Sequence, residues 1–404
     1  MTHNDQADKQ IPNLNRITLL AETDYRNSNI PFGIKRIDRR SHIWLLGKTG
    51  TGKSTMMENL MFDDLNKGYG FALLDPHGDL VSKVRSWIPS TFKDNFIDFD
   101  VPNEDQGYGF NPLSGVAAKH RPLAASGLIQ VFKHLWRDAW GARTEHILRN
   151  SILSLLDYPK ATLSDLLKLL ADNDFRKKLL PYITSKQVRL FWEDEFQKYS
   201  YRFRAFAVSP IQNKVGAFLS HPLARSILTK PKEPINFRQI IDEGKILLVD
   251  LSKGKLGEDV ANLLGSLIIS RFDLAALSRS NVPESKRRDY TLFLDEFHSF
   301  TTHGLAFMLS SLRKYNVSLV LANQYIPFQL LPEVREALFG NVGTIVSFRL
   351  GANDAEAVSR EFASDIEAKE FTNLPNYRVY LRMMIDGKVS KPFSARTLSP
   401  VSAN

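Results

Sequence analysis

The run Ile43-Trp-Leu-Leu46-Gly47-Lys48-Thr49-Gly50-Thr51-Gly52-Lys53-Ser54-Thr55 passes from a short apolar stretch through a glycine-rich loop into a segment of helical periodicity. Strand, Gly-x-x-x-x-Gly-Lys-Ser loop and helix, in that order, specify a phosphate-binding loop. The glycines let backbone N–H groups converge on phosphate oxygens, and the helix N-terminus adds positive potential. Lys53 offers a charge to the β- and γ-phosphates, and Ser54 a hydroxyl to Mg²⁺. Gly47, Lys48, Thr49, Gly50, Thr51, Gly52, Lys53, Ser54 and Thr55 are therefore the expected nucleotide cradle, with ATP and Mg²⁺ as the expected cofactors.

Outward from this loop, further apolar runs read as buried strands: Phe71–Leu74, Phe96–Phe99, Ile246–Leu251, Thr291–Leu294, Val317–Ala322 and Thr344–Phe348. Most precede helical periodicity, as in Thr55–Asn66, Glu258–Leu277 and Leu305–Tyr315. Such alternation predicts an α/β fold with a mainly parallel sheet covered on both faces. Between Ser114 and Pro234 the alternation stops, and Leu123–Trp136, Thr144–Leu156 and Ser164–Leu170 carry i, i+3, i+4 apolar spacing. This predicts an all-helical insertion at 114–234 splitting a motor domain at 31–113 and 235–395. Residues 1–30 and 396–404 are polar and are expected to be flexible ends.

A hydrolytic P-loop site needs a carboxylate for the metal shell and a group that orients water. Leu292-Phe-Leu-Asp295-Glu296 ends a strand with both, Asp295 for the magnesium shell and Glu296 for the water. Leu319-Val-Leu-Ala322 ends in Asn323-Gln324, and Gln324 is the expected γ-phosphate sensor. An arginine from a neighbouring subunit often completes such sites. Arg313 is the first candidate and Arg349 the second, with surface salt bridging as the alternative for either.

The chain has 404 residues, no cysteine, and 53 Lys and Arg against 44 Asp and Glu, for a net charge of +9. Disulfide frameworks, thiolate zinc sites and thiol nucleophiles are excluded together. The basic excess favours a polyanionic partner. It is concentrated: residues 176–232 hold twelve Lys and Arg and three Asp and Glu, an excess of nine, and the rest of the chain is neutral. Within that segment Lys198-Tyr-Ser-Tyr-Arg-Phe-Arg204 interleaves bases and aromatics, a pattern that suits base stacking with Arg202 and Arg204 on phosphates, or equally an aromatic packing edge. Lys214 joins them as a DNA-binding candidate. His77, His120 and His146 lack ligand spacing and read as structural or solvated. No uninterrupted apolar run reaches about 18 residues, and MTHNDQADKQ has no apolar core behind a basic start, so neither a membrane span nor a secretory leader is expected.

Taken in order, His42–Ser54, Leu74-Asp-Pro-His-Gly-Asp79, Asn111-Pro-Leu113, Lys245–Ser252, Leu294-Asp-Glu-Phe297, Arg313-Lys-Tyr315, Ala322-Asn-Gln324, Gly340-Asn-Val-Gly343 and Phe348-Arg349 resemble the HerA/FtsK superfamily of P-loop motors. The resemblance is to the TraG/TraD-like coupling ATPases of conjugative type IV secretion in particular. It implies a RecA-like motor with an all-helical insertion, assembled as a homohexamer that threads DNA. By the same resemblance Lys53 and Ser54 map to nucleotide and metal, Asp295 and Glu296 to metal shell and catalytic base, Gln324 to the sensor, and Arg313 to a finger acting in trans. Relaxosome or secretion-channel proteins are the implied partners. Membrane-anchored members begin with transmembrane helices, so the expectation here is a cytoplasmic form, or one held at the inner face of the membrane by a partner. The alternatives are a HerA-like translocase for DNA processing or repair, a nucleotide-gated DNA-binding scaffold with negligible turnover, and a motor for protein or pilus-subunit export.

Overall fold

The computed structural model describes residues 17–24, 29–136, 140–326, 329–363 and 365–401. The apolar runs become β3 to β9 of one sheet, which four further strands extend: β1 (Ile17–Thr23), β2 (Pro31–Lys35), β3 (Ile43–Leu46), β4 (Gly70–Asp75), β5 (Phe96–Asp100), β6 (Ile246–Asp250), β7 (Tyr290–Leu294), β8 (Val317–Asn323), β9 (Thr344–Ser347), β10 (Arg378–Arg382) and β11 (Phe393–Thr397). Their spatial order is β2-β1-β11-β10-β9-β3-β8-β7-β4-β6-β5. From β9 to β5 every neighbour is parallel, whereas β10, β11, β1 and β2 add an antiparallel margin.

That margin corrects two expectations. Residues 17–23 lie within the stretch read as a flexible end, yet they pair with β11 and β2. Arg396 and Thr397, read as the start of a loose tail, are ladder residues opposite Glu22 and Ala21. A polar strand can form here because its partners supply the hydrogen bonds and only one face is buried. The remainder of the N-terminal expectation, residues 1–16 and 25–28, and the last three residues lie outside the described residues.

Strand pleating distributes the core over both sheet faces. On β3, Trp44 and Leu46 join one apolar cluster while Ile43 and Leu45 join the other. The second cluster is closed by Met56, Met57, Leu60 and Met61 of α1 (Lys53–Asn66) and by Leu80, Val81 and Val84 of α2 (Asp79–Trp87). The first runs without a break into the inserted helices: α3 (Arg121–Leu135), α4 (Ala142–Asp157), α5 (Leu163–Ala171), α6 (Asn173–Leu179), α7 (Tyr201–Ser220) and α8 (Pro222–Thr229). The insertion therefore shares the core of the sheet.

The seam is α9 (Glu258–Ser278), which carries the first face of the sheet on one side and α3 on the other. A Cβ at Gly127 of α3 would meet the Ser270 hydroxyl of α9 at 2.7 Å, so the two helices touch backbone to side chain. The Glu258–Asn281 segment has the length and mean hydropathy, 1.5, of a membrane span, a property hidden from a search for uninterrupted apolar runs. Its most apolar window is 72% buried inside the protein, as expected of a helix sandwiched between two layers.

Candidate nucleotide site

Parallel register brings the carboxyl ends of β3, β8, β7 and β4 to one edge: Leu46 lies opposite Asn323, Leu321 opposite Leu294, and Leu74 opposite Leu294 from the other side. Open α/β sheets bind ligands in the crevice at this edge. The Gly47–Ser54 loop is pinned there, with the Gly47 N–H donating to the Asn323 carbonyl (3.2 Å) and the Lys48 N–H to the Arg349 carbonyl (2.9 Å). Gly50 (φ 74°) and Gly52 (φ 118°) take backbone conformations that side chains resist. At Gly52 a Cβ would also strike the Tyr377 ring at 2.9 Å. The buried Lys53 ammonium donates to the carbonyls of Gly47 (2.6 Å) and Lys48 (3.2 Å), and the Thr51 hydroxyl closes the loop onto Lys48 (2.7 Å).

Asp295 and Glu296 follow β7 and are 8% and 7% exposed. Burial, with the charges of Glu296 and Asp75 adding and Lys53 opposing, pushes the Asp295 carboxyl up to about 7. Burial likewise pushes the Lys53 ammonium down, against the pull of Glu296 and Asp295. Glu296 sits in the left-handed region (φ 42°, ψ 48°), at a cost of about 1 kcal/mol or more. That turn aims its carboxylate at β8. The Gln324 amide donates to Glu296 Oε1 (2.7 Å), while Gln324 Oε1 accepts from the Thr49 hydroxyl (2.9 Å). Glu296 Oε2 is buried without a hydrogen bond, and His298 Nδ1 stands 3.3 Å away, within ion-pair range but without hydrogen-bond geometry. Burial holds the His298 imidazole below its ordinary range despite the Glu296 charge.

These groups line a cleft of about 430 Å³ that holds Thr49, Gly50, Gly52, Lys53, Ser54, Thr55, Asp295, Glu296 and Gln324 together. Gly47, Lys48 and Thr51 shape the loop behind it. Sequence reasoning missed the other walls, which are Glu58, Asp75, His77, Asp79, Leu80, Lys83 and Tyr377. Asp75 accepts from the N–H groups of His77 (2.8 Å), Leu80 (2.9 Å) and Val81 (3.0 Å), fixing the start of α2 beside the P-loop. His77, read as structural or solvated, lies on the cleft wall. The signal was available in Leu74-Asp-Pro-His-Gly-Asp79, a strand end followed by a glycine turn and a helix start, as at the P-loop itself. Tyr377 had no local signal: its N–H donates to Thr51 O (2.9 Å) from far along the chain.

Neither arginine candidate enters the cleft of its own chain. Arg313 is exposed in the turn Leu312–Tyr315 before β8, and its charge bears on His42 at the start of β3, the opposite edge of the sheet. Arg349 stands beside the P-loop, but its guanidinium donates to the Leu374 carbonyl (3.3 Å). In the insertion, Arg202 and Lys214 are exposed, whereas Arg204 is folded inward over Phe196. Of the aromatics in Lys198–Arg204, Tyr199 and Phe203 pack on one another and Tyr201 is 88% exposed; Phe206, also open (74%), was not foreseen.

A family model described as the type IV secretion-system coupling protein DNA-binding domain matches residues 25–362. Among curated proteins, the type 4 coupling protein DotL of Legionella pneumophila is 22% identical over 365 aligned residues, covering 75% of this chain. The chain spans about half the length of that relative, 46%. Among solved structures, the plasmid coupling protein TrwB in complex with ADP and Mg²⁺ superposes with a TM-score of 0.66 at 18% identity, covering 92% of this chain and 89% of TrwB. VirB4 of Thermoanaerobacter pseudethanolicus gives a TM-score of 0.62 at 15% identity, covering 94% and 96%. At these identities the structural likenesses bear out the RecA-like P-loop fold.

Proposed function

Because the chain belongs to the family of type IV secretion-system coupling protein DNA-binding domains, we propose that it is a Mg²⁺-dependent ATPase that moves DNA toward a secretion channel during conjugative transfer. The observation that carries this reading is the chain of hydrogen bonds from Thr49 through Gln324 to Glu296, which ties the phosphate loop to a carboxylate able to take a proton from water.

The residues fit a metal-bound triphosphate. Gly50 and Gly52 leave room for phosphate oxygens, and Ser54 and Asp295 would hold Mg²⁺. Bound Mg²⁺ supplies neutralisation of charge on the β- and γ-oxygens. Lys53 would leave its loop carbonyls for the phosphates. Glu296 would orient and deprotonate the attacking water, and Gln324, held between Thr49 and Glu296, would report whether the γ-phosphate is present. Arg313, at the opposite sheet edge, suits a finger delivered to the neighbour in a homohexameric ring. DNA, a secretion channel or relaxosome proteins, and a station at the inner face of the membrane complete the reading.

A phosphate-release assay with and without DNA tests it. Turnover stimulated several-fold by DNA is expected. Turnover indifferent to DNA would point to protein cargo, and negligible turnover to a nucleotide-gated scaffold. Mixing Arg313→Ala chains with Glu296→Gln chains that retain Arg313 should restore part of the activity, and no rescue in verified mixed rings rules out Arg313 as the finger.

A further inference from the structure

The insertion carries a further pocket, open to solvent and of about 540 Å³, whose lining carries Arg176, Lys177 and Arg204 and no carboxylate. Both arginines lie against the Phe196 ring: the Arg176 guanidinium carbon is 5.4 Å and that of Arg204 4.8 Å from the ring centre. The Asn173 and Gln197 amides line the same space. Arg176 is only 8% exposed, and it donates to the carbonyls of Leu169 (2.8 Å) and Leu170 (3.2 Å) at the end of α5. Arg204 donates to the carbonyls of Phe196 (2.9 Å) and Gln197 (3.4 Å), and its Nε is buried without a partner.

A phenyl face and carbonyl dipoles stabilise a guanidinium without neutralising it. Among the described residues, the hydrogen bonds of both arginines go to backbone carbonyls alone. Nearby carboxylates are engaged elsewhere. Asp172 accepts from the N–H groups of Asp174 (2.8 Å) and Phe175 (3.1 Å), Asp194 holds Lys198, and Glu195 holds His146 and Tyr199. Asp174 meets Lys177 at 3.5 Å on the open surface, where such a pair contributes little. Burial lowers the Arg176 pKa, repulsion from Arg204 adds to this, and the charge of Asp172 opposes it without a hydrogen bond to Arg176. The π-helical turn Phe191–Glu195, a geometry that recurs at functional sites, sets Trp192 and Phe196 into the wall.

Two guanidinium groups fixed by packing, without a carboxylate hydrogen-bonded to either and with the exposed Lys177 beside them, form a site for an oxyanion. Guanidinium forks match phosphate oxygens in particular. We propose that this cavity is a phosphate-binding site of the insertion, separate from the P-loop, that takes a phosphoryl group either from a nucleic-acid backbone or as free phosphate. The inference goes beyond the proposed activity, because it holds whether or not the P-loop hydrolyses ATP.

The test uses the full chain carrying Lys53→Ala, so that the P-loop contributes least. Inorganic phosphate is titrated at constant ionic strength against chloride and followed by ³¹P line broadening. Saturable binding is expected, weakened about tenfold by Arg204→Gln and by Arg176→Gln. Because Arg176 also ties the end of α5, Lys177→Gln serves as a further variant, and a melting curve checks each fold. Binding unchanged in these variants, or absent from the Lys53→Ala chain, overturns the proposal. A labelled single-stranded oligonucleotide then separates the sources. Weaker oligonucleotide binding in Arg204→Gln, with competition by phosphate, supports a backbone phosphate. Loss of phosphate binding alone supports free phosphate.

Discussion

The cleft on the sheet edge and the cavity in the insertion present opposite charge problems. In the cleft, Lys53 and Lys83 face Glu58, Asp75, Asp79, Asp295 and Glu296, and burial, with the charges of Glu296 and Asp75 adding, pushes the Asp295 carboxyl up to about 7. In the insertion, Arg176, Lys177 and Arg204 line a pocket without a carboxylate, Lys177 meeting Asp174 on the open surface, and burial, with Arg204 adding and Asp172 opposing, pushes the Arg176 guanidinium down. A site for a metal-bound anion must keep carboxylates for the metal, while a site for a bare anion must exclude them. The net charge of +9 is thus a property of the insertion, and the P-loop face stays acidic.

The comparison breaks first at the cleft. Lys53→Ala and Glu296→Gln should each lower hydrolysis by about 10² to 10⁴-fold with the fold retained, and unchanged phosphate release in either purified variant would remove the site from the motor. Next in size, Gln324→Ala should cut kcat about tenfold with little change in KM, because it cuts the link between Thr49 and Glu296. Equal losses in kcat and affinity would make Gln324 a binding group instead.

The burial of Asp295 gives a smaller and signed effect. With the folded carboxyl near 7 and the ordinary value at 3.8, the folded protein holds this proton more tightly than the unfolded chain. Stability is therefore full below the unfolded value and falls as pH rises from about 4 to 7. Asp295→Asn should lose about 3–6 °C less Tm over that range, although Asp273, also near 7, keeps part of the slope. Parallel melting curves of parent and variant would contradict the assigned burial. Smallest of all, Arg202→Gln and Lys214→Gln should each weaken DNA binding about two- to threefold and reduce the salt slope by about one. Unaltered salt sensitivity would make this exposed face a protein-docking surface.

Legibility differed between the two regions for a physical reason. β3 runs over Ile43–Leu46 as its apolar run predicts, and α1 ends at Asn66 as its periodicity predicts, because burial on both faces leaves an unambiguous pattern. β1 and β11 were hidden because a margin strand buried on one side reads much like a polar loop. In the insertion, the Lys198–Arg204 run showed which residues were present but not which way they point. Tyr199 and Phe203 turn inward, Tyr201 outward, and Arg204 into a cavity shared with Arg176.

The sequence by itself determined the phosphate loop, since strand, glycines, lysine and helix start are contiguous and their geometry is set by local dihedral preferences. It also determined the carboxylates and glutamine at the strand ends, and the place of the basic excess along the chain. Tertiary structure alone decided that Gln324 lies between Thr49 and Glu296, that Tyr377 walls the P-loop, and that Arg176 and Arg204 share one ring. Those contacts join residues far apart in sequence, and their distances are fixed by strand register and helix packing, which a linear pattern does not encode.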